Sequence, residues 1–379
     1  MRIGVDAYYL SSSHIDGLGN YLLRLLKALS RIDAENEYIL YTPGIAQHFY
    51  AEAMRRNSRF SIAVIPGIFS RSRRLWLQSP SLIRRAARDR IDLFFAGAEY
   101  FPLLLPRAIR VAVTIHDVAF KAMPEAISIP NMIFYRFFFP LFVRRADFFF
   151  TVSHHSKREM IDYLGIEESA IRVVYNGIEL DDFPAGREGD KRDSILFVGT
   201  LQPRKNLANL IKAFDLIANR VKADLVVVGG SGWKNHSVRS LIEGLAPEVR
   251  QRITFCGYVA GDELPALYRK AKLFVLPSLH EGFCLPILEA MASGTAVITA
   301  RSAAIPEVFG DAAAYVNPLS PEDIGRRIEE LLTNHTLRAS FVRKGRTLSK
   351  QYSVEQQAAG YLDAFRAIQR GEFKGKGVR

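Results

Sequence analysis

Cysteine is nearly absent from this 379-residue chain, where only Cys256 and Cys284 occur. Two thiols cannot build a disulfide scaffold or a four-ligand zinc site, and a reducing, intracellular setting is expected. Long apolar runs are missing too. Arg136, Arg144 and Arg145 interrupt the most aromatic stretch, "FYRFFFPLFVRR", short of the roughly 18 residues of a spanning helix, so no transmembrane segment is expected. The start, "MRIGVDAYYL", reads as a strand and has no basic n-region, apolar h-region or cleavage site. No D-x-D carboxylate pair occurs, and no second histidine stands at ligand spacing from His116, which argues against a divalent-metal site. Acids are scarce between residues 55 and 90, where Asp89 alone accompanies ten arginines.

What is present fits a globular protein: 49% hydrophobic and 24% charged residues, with a length that favours two domains. The net charge is +12. In the arginine-rich segment Leu75, Trp76, Leu77, Leu82 and Ile83 are interleaved with the cations. Such a surface attracts anionic head groups at about 1 kcal/mol per basic residue. It reads equally well as a solvated basic face. Nucleic acid is not expected as a partner, since no helix-turn-helix, zinc-finger or RNP-like pattern occurs.

Short apolar runs alternate with helical patterns, the signature of parallel sheets covered by helices. The first half predicts strands at "RIGVDAY", "EYILYTP", "FSIAVIP", "DLFFAG", "RVAVTIHD" and "DFFFTVS". Helices fall between them, clearest at "NYLLRLLKALSRI" and "SHHSKREMIDYLG". The second half predicts strands at "SILFVGT", "ADLVVVGG", "ITFCGYV", "LFVLPS", "TAVITA" and "AAAYV", with helices including "NLANLIKAFDLIANRV", "GDELPALYRKA" and "PILEAMAS". Two such series imply two Rossmann-like domains. The join, residues 176–194, is charged and glycine-bearing without apolar period, as a linker should be. A closing helix, "SVEQQAAGYLDAFRAIQ", and a basic tail end the chain. The aromatic run reads as a packed helix in preference to a membrane contact.

Ligands of open parallel sheets bind beyond the carboxyl ends of strands, and four loops there carry candidate residues. In "SSSHIDGLGNYLLRLL", Gly17 and Gly19 precede a helix whose N-terminus would suit a phosphate, or they form only a turn. In "VGTLQPRKNLANL", Arg204 and Lys205 form either a diphosphate clamp or an exposed pair. In "TIHDVAF", His116 at a strand end can donate a hydrogen bond to a ligand hydroxyl or carbonyl, or be structural. In "HEGFCLPILEAMASG", Pro286 suits a helix start and Gly294 its stop, leaving Glu281 in the loop and Glu289 one turn into the helix. A carboxylate accepts both hydroxyls of a vicinal diol, and N–H groups around Phe283, Cys284 and Leu285 can meet an anion or sugar oxygen. Two diols flanking a diphosphate outline a nucleotide sugar.

The stretch "PSLHEGFCLPILEAMASGTAVITARSAAIPEVFGDAAAYVNP" closely resembles the E-x7-E segment of family-4 retaining glycosyltransferases. "FVGTLQPRKNL", "VVYNGI", "TVSHHSK", "DGLGNYLLRLLKAL" and "GYVAGDELPALYRKAKLFVLPS" follow the family's order, so the resemblance spans nearly the whole chain. It implies an α/β GT-B fold, two Rossmann-like domains with parallel sheets facing an interdomain cleft. The N-terminal acceptor domain would be 1–180, joined by the closing helix at about 353–370, and the donor domain 181–352. By the same resemblance Glu289 holds the ribose, Arg204 and Lys205 the diphosphate, and Glu281 with the backbone from Gly282 to Leu285 (Phe283 and Cys284 included) the donor sugar. Val259 would read the base edge, Gly19 would approach the diphosphate, and His116 would touch the donor sugar near the reacting carbon. His116, Glu281 and Lys205 are thus the catalytic candidates. Thr200 stands where many members carry arginine, which leaves more of the phosphate charge to Arg204 and Lys205.

The resemblance further implies a retaining hexosyltransferase that needs no metal or other cofactor beyond the nucleotide-sugar co-substrate. "HDVAFKAMPE" and "PRKNL" look like bacterial mannosyltransferases of surface polysaccharide (lipopolysaccharide) assembly, giving GDP-mannose as the first expected donor. UDP-glucose or UDP-N-acetylglucosamine is the second. The expected acceptor is a saccharide or lipid-linked saccharide, met in the cytoplasm or peripherally on the inner face of the plasma membrane. Rival readings are a nucleotide-sugar epimerase, a non-catalytic sugar-nucleotide binding module, and a dinucleotide oxidoreductase built on "VVVGGSG", which lacks a full G-x-G-x-x-G.

Overall fold

The computed structural model describes residues 1–13, 15–186, 189, 191–230, 236–259 and 263–375. Part of the expected linker, the end of "VVVGGSG" and the last residues of the basic tail lie outside the described residues. The chain divides into two compact units: Met1–Val118 with Ile129–Gly177 and Val354–Arg379, and Ala119–Ser128 with Ile178–Ser353.

In the first unit seven strands form one sheet: β1 (Arg2–Asp6), β2 (Glu37–Thr42), β3 (Phe60–Val64), β4 (Leu93–Ala96), β5 (Arg110–Ile115), β6 (Phe148–Thr151) and β7 (Ile171–Val173). Their order is β3-β2-β1-β4-β5-β6-β7 and every pairing is parallel. Strands such as "LFFA" and "FFFT" are buried along their whole length, as helices on both faces require. The six predicted strands are all present. The seventh, "IRV", is a three-residue edge strand, too short to carry a period. The helix Val354–Arg370 belongs to this unit and packs on the helix Gly17–Ile32. Its Tyr361 hydroxyl shares hydrogen bonds with Tyr21 and with Thr114 (3.1 Å), among the rings of Phe95, Phe150 and Phe365.

The second unit holds β8 (Arg192–Val198), β9 (Asp224–Val228), β10 (Ile253–Gly257), β11 (Ala271–Leu276), β12 (Ala296–Ala300) and β13 (Ala314–Val316). Their order is β10-β9-β8-β11-β12-β13, again all parallel. All six match predicted strands. In this order β8 and β11 are neighbours though not consecutive, so the strand order reverses between them. That reversal leaves a crevice beyond their carboxyl ends, where the loops run to opposite faces.

Three expectations are corrected. Gly17 and Gly19 do not precede a helix but lie in its first turn, capped by Asp16. The stretch 176–194 is no free linker: Gly186 donates to the Ser293 carbonyl at 3.1 Å, and a Cβ there would meet Arg269 Cγ at 2.5 Å. Among the described residues of this stretch, Gly186 is thus packed against the second unit. At its two ends the long segment of the second unit closes on itself, Ile178 bridging Ser353 in parallel. Third, the aromatic run is not a packed helix throughout. It forms two helices, Ile129–Phe137, which buries no residue, and Phe139–Arg145, which buries Phe139, Phe142 and Val143.

The arginine-rich segment divides as well. Arg73 is held by the fully buried Asp6 at the end of β1, and Arg85 pairs with Asp89 at 2.9 Å. Arg55, Arg56, Arg71, Arg84, Arg88 and Arg90 are exposed. Among the described residues, no helix is long and apolar enough to cross a membrane.

Candidate functional site

In the second unit the strands β8, β9 and β10 all run out into glycine: Gly199, Gly229 and Gly257. Their amides continue the ladder, Gly199 N–H to Val228 O (2.9 Å) and Gly229 N–H to Gly257 O (2.8 Å). Gly229 has φ +151°, and a Cβ on it would lie 2.0 Å from the Gly199 carbonyl oxygen, so only glycine lets the two loops pass. Beyond Gly199, the single turn Pro203–Lys205 ends at Asn206 in the left-handed region, φ +59°. Asn206 is the hinge pin of the crevice: its Nδ2 donates to the carbonyls of Pro277 (3.0 Å) and Pro318 (2.6 Å). Leu279 N–H donates to Arg204 O at 2.8 Å. The loops after β8 and β11 are thereby stitched together at the strand-order reversal.

That stitching brings Arg204, Lys205 and Glu281 into one cluster. Lys205 Nζ lies 2.6 Å from Glu281 Oε1, and Arg204 Nη1 lies 2.9 Å from Glu281 Oε2 and 2.9 Å from the His280 carbonyl. The Lys205 stem passes the bare backbone of Gly199, where a Cβ would be in ordinary contact at 3.6 Å. Glu281 is 4% exposed. Burial pushes its carboxyl up, but the Lys205 ammonium and the Arg204 guanidinium outweigh that and hold it down at about 2. It is therefore ionised at neutral pH, and the cluster as a whole carries one net positive charge. Each carboxylate oxygen accepts from a cation, and Ser278 also helps hold the carboxyl ionised. Such a carboxylate suits hydroxyl binding better than proton donation.

The backbone is strained in the loop that carries Glu281 and in the neighbouring loop after β12. Cys284 has φ +81° and Ala303 φ +47°, conformations that cost a side-chain-bearing residue about 1–3 kcal/mol each. Ala304 N–H, next to Ala303, donates to the Glu281 carbonyl at 3.1 Å. Phe283 anchors the loop, its ring edge-on to Phe309 and Tyr352. The helix starts at Leu285, one residue before Pro286, and stops at Ser293, with Gly294 left-handed at φ +72°. Cys284 is buried, and burial pushes its thiol up to about 12. Gly282 is buried in the same loop and Leu285 half-buried. Glu289, in the second turn, is buried and accepts from the Tyr268 hydroxyl at 3.0 Å. Val259, half-buried after β10, borders residues outside the described set.

The sequence grouped Arg204 with Lys205 and Glu281 with the following backbone. It did not foresee that the three charges form one ion cluster. Arg204 and Lys205 sit in the loop after β8 and Glu281 in the loop after β11, and only the reversal of strand order brings those two loops together.

Two candidates lie in the first unit. Gly19 is packed so closely that a Cβ would meet Ile15 Cγ2 at 2.6 Å, and its N–H is already given to Asp16 Oδ1 at 2.8 Å. His116 follows β5, with Nε2 2.9 Å from the Gly97 carbonyl and its ring edge-on to Tyr21 at 4.5 Å. Burial lowers the imidazole below its ordinary value, so the neutral ring prevails at pH 7. A carbonyl can only accept, hence the proton is on Nε2 and Nδ1 is an acceptor. The expected donor role is thus reversed: toward a hydroxyl, His116 would accept.

Comparison with known proteins finds matches along nearly the whole chain. The family profile "Glycosyltransferase Family 4" matches residues 15–182, and "Glycosyl transferases group 1" matches residues 179–348. The chain is 27% identical over 373 residues to O-antigen chain mannosyltransferase B of Escherichia coli, covering 93% of this chain and 97% of that one. It is 28% identical over 315 residues to O-antigen chain mannosyltransferase RfbU of Salmonella typhimurium, covering 80% and 83%. Among solved structures, Anabaena HepE in complex with UDP and glucose superposes with a TM-score of 0.74 at 17% identity, covering 97% of this chain and all of that one. At that identity the likeness concerns the fold.

Proposed function

The chain belongs to the family-4 (group 1) glycosyltransferases, of GT-B fold, and from that membership we propose that its second unit binds a nucleotide-sugar donor at the Arg204–Lys205–Glu281 cluster. The observation that carries the proposal is the ion cluster itself, a buried carboxylate holding two cations at the strand-order reversal. Arg204 and Lys205 neutralise the diphosphate, Glu289 accepts from the ribose diol, and Glu281 with the backbone of 282–285 positions the sugar. Val259 reads the base edge, and His116 accepts from a donor-sugar hydroxyl. The domain division is 1–180 with the closing helix, and 181–352.

The donor is GDP-mannose and the product a mannosyl linkage in a cell-surface polysaccharide. The names of the two O-antigen relatives support this choice. Transfer retains anomeric configuration and needs no metal. The bond from the sugar's C1 to the diphosphate oxygen breaks while the acceptor oxygen bonds C1 on the same face. The acceptor proton passes to an oxygen of the departing diphosphate. Fixed cations and N–H groups stabilise that leaving group. Glu281, with both oxygens facing cations, is a binder here and not a nucleophile. The acceptor is lipid-linked and met at the inner membrane face, toward which the exposed arginines of 55–90 steer the protein.

A thermal-shift screen in EDTA with GDP-mannose, GDP, UDP-glucose, UDP-N-acetylglucosamine and UDP tests the donor site. A ligand at 100 times its dissociation constant adds about 2.7 kcal/mol of stability. Guanosine nucleotides should stabilise the protein, and Lys205→Ala and Glu289→Ala should abolish the effect. Stabilisation by uridine nucleotides alone would move the donor to a UDP-sugar, and none with any nucleotide would reject the site. An inverted product anomer by NMR would reject the mechanism.

A further inference from the structure

The helix Ile129–Phe137 is turned inside out. A surface helix ordinarily sinks its apolar stripe into the protein and shows polar residues to water. Here Ile129, Met132, Ile133 and Phe137 fall on one face at the i, i+3, i+4, i+8 spacing of a stripe. That face is outward: Ile129 is 67%, Ile133 50% and Phe137 65% exposed. The opposite face, Asn131, Phe134 and Tyr135, holds the helix to the first unit. Asn131 accepts from Arg74 Nη2 at 3.1 Å, Tyr135 donates to Glu99 at 3.0 Å, and Phe134 meets Tyr100 edge-on beneath the Arg74 guanidinium. Phe138 and Leu141 prolong the apolar surface into the next helix. The helix is anchored by polar groups so that its greasy side faces away.

The charge around this stripe has one sign. No acid occurs between Glu125 and Asp147, while Arg136 and Arg144 are exposed beside the apolar residues. Arg74 ties the helix to the arginine-rich segment, whose Leu75 and Ile68 are exposed as well. Apolar side chains flanked by arginine, without carboxylates, match the boundary between anionic head groups and acyl chains. A water-soluble protein partner would not select against every carboxylate along such a stretch.

We propose that the helices Ile129–Phe137 and Phe139–Arg145 form a monotopic membrane-docking element, with Ile129, Met132, Ile133, Phe137, Phe138 and Leu141 inserted below the head groups of a lipid bilayer. This deepens the reading that the acceptor is lipid-linked, and rests on it for purpose. It replaces charge steering alone by insertion.

The test is flotation of the full chain with vesicles of phosphatidylcholine alone or mixed with phosphatidylglycerol. It is run at low salt and at about 1 M salt, where the Debye length falls to about 3 Å. Wild type should bind the anionic vesicles and keep part of that binding at high salt. The double variant Ile133→Glu, Phe137→Glu should lose roughly tenfold or more of its affinity, since insertion scales with buried apolar area. Arg84→Glu, Arg88→Glu should weaken binding at low salt only. Equal binding by the Ile133/Phe137 variant, or loss of all wild-type binding at high salt, would overturn the proposal. So would a wild-type dimer in light scattering that the same variant dissolves. Both changed residues are surface-exposed, and stabilisation by nucleotide should be unaltered in the variant; a protein that floats but binds no nucleotide would reject the donor reading and leave docking standing.

Discussion

Glu281→Gln isolates the ion cluster from everything around it. The substitution keeps size and shape but removes the charge between two nearly buried cations, whose side chains are 19% (Arg204) and 10% (Lys205) exposed. A carboxyl held at about 2 against an ordinary 4.5 is worth about 3 kcal/mol of folding stability at pH 7. Removing one partner of a buried pair costs a similar amount, about 3–5 kcal/mol, because the remaining charges stay buried unpaired. The sign follows from linkage. A lowered carboxyl contributes fully above 4.5, and its contribution fades as pH falls toward 2. The gap between wild type and variant should thus be about 3 kcal/mol at pH 7 and only about 1 kcal/mol at pH 3.

Urea unfolding followed by circular dichroism at the two pH values measures that gap. A difference below about 1 kcal/mol at pH 7, or one that does not shrink at pH 3, would refute the pairing. The variant also separates two roles. With Glu281 neutral the cations are uncompensated, so GDP should stabilise the variant at least as much as wild type. The added benefit of the sugar in GDP-mannose should be lost, because the hydroxyl acceptor is gone.

Two further outcomes follow from the backbone and the thiols. Ellman's reagent should titrate one thiol in the native protein, the exposed Cys256, and two after unfolding, since Cys284 is buried with its thiol pushed up to about 12. Gly229→Ala, whose Cβ would sit 2.0 Å from the Gly199 oxygen, should destabilise by more than about 3 kcal/mol in urea, whereas Gly257→Ala, at φ +66° in open space, should cost only about 1 kcal/mol.

How much of this was legible depended on range along the chain. Twelve strands were readable, most of them because burial on both faces writes continuous apolar runs; the exposed β10 was readable from its β-branched and aromatic residues. β7 has three residues at a sheet edge and leaves no such trace. Pro286 and Gly294 bracketed a real helix because their preferences are local. The first turn of the helix Gly17–Ile32 was misplaced because the glycines were read as a turn, whereas Asp16, a residue type favoured at that position, supplies the cap and draws them into the helix. The outward face of Ile129–Phe137 was hidden for a different reason. A 3.6-residue apolar stripe has the same pattern whether it faces a core or a membrane. Only the partners of Asn131 and Tyr135 decide which side is in.

The ion cluster makes the same point at the site, and on the proposed donor role it gives a reason for a carboxylate between two phosphate-binding cations. Alone, Arg204 and Lys205 would be two flexible side chains, each losing about 2 kcal/mol of rotamer entropy when a diphosphate fixed them. Glu281 fixes them in the folded protein, so that cost is met on folding and, in the proposed reaction, the cations would already be aimed when charge develops on the leaving group. One net positive charge remains, enough to attract an anion yet small enough to bury. Glu281 in turn needs its own position enforced, and the backbone gives way at the left-handed Cys284 in its own loop and at Ala303 in the loop whose Ala304 N–H holds the Glu281 carbonyl. The strain, the buried charges and the stitched loops are then one device, a carboxylate held still so that two cations are held still.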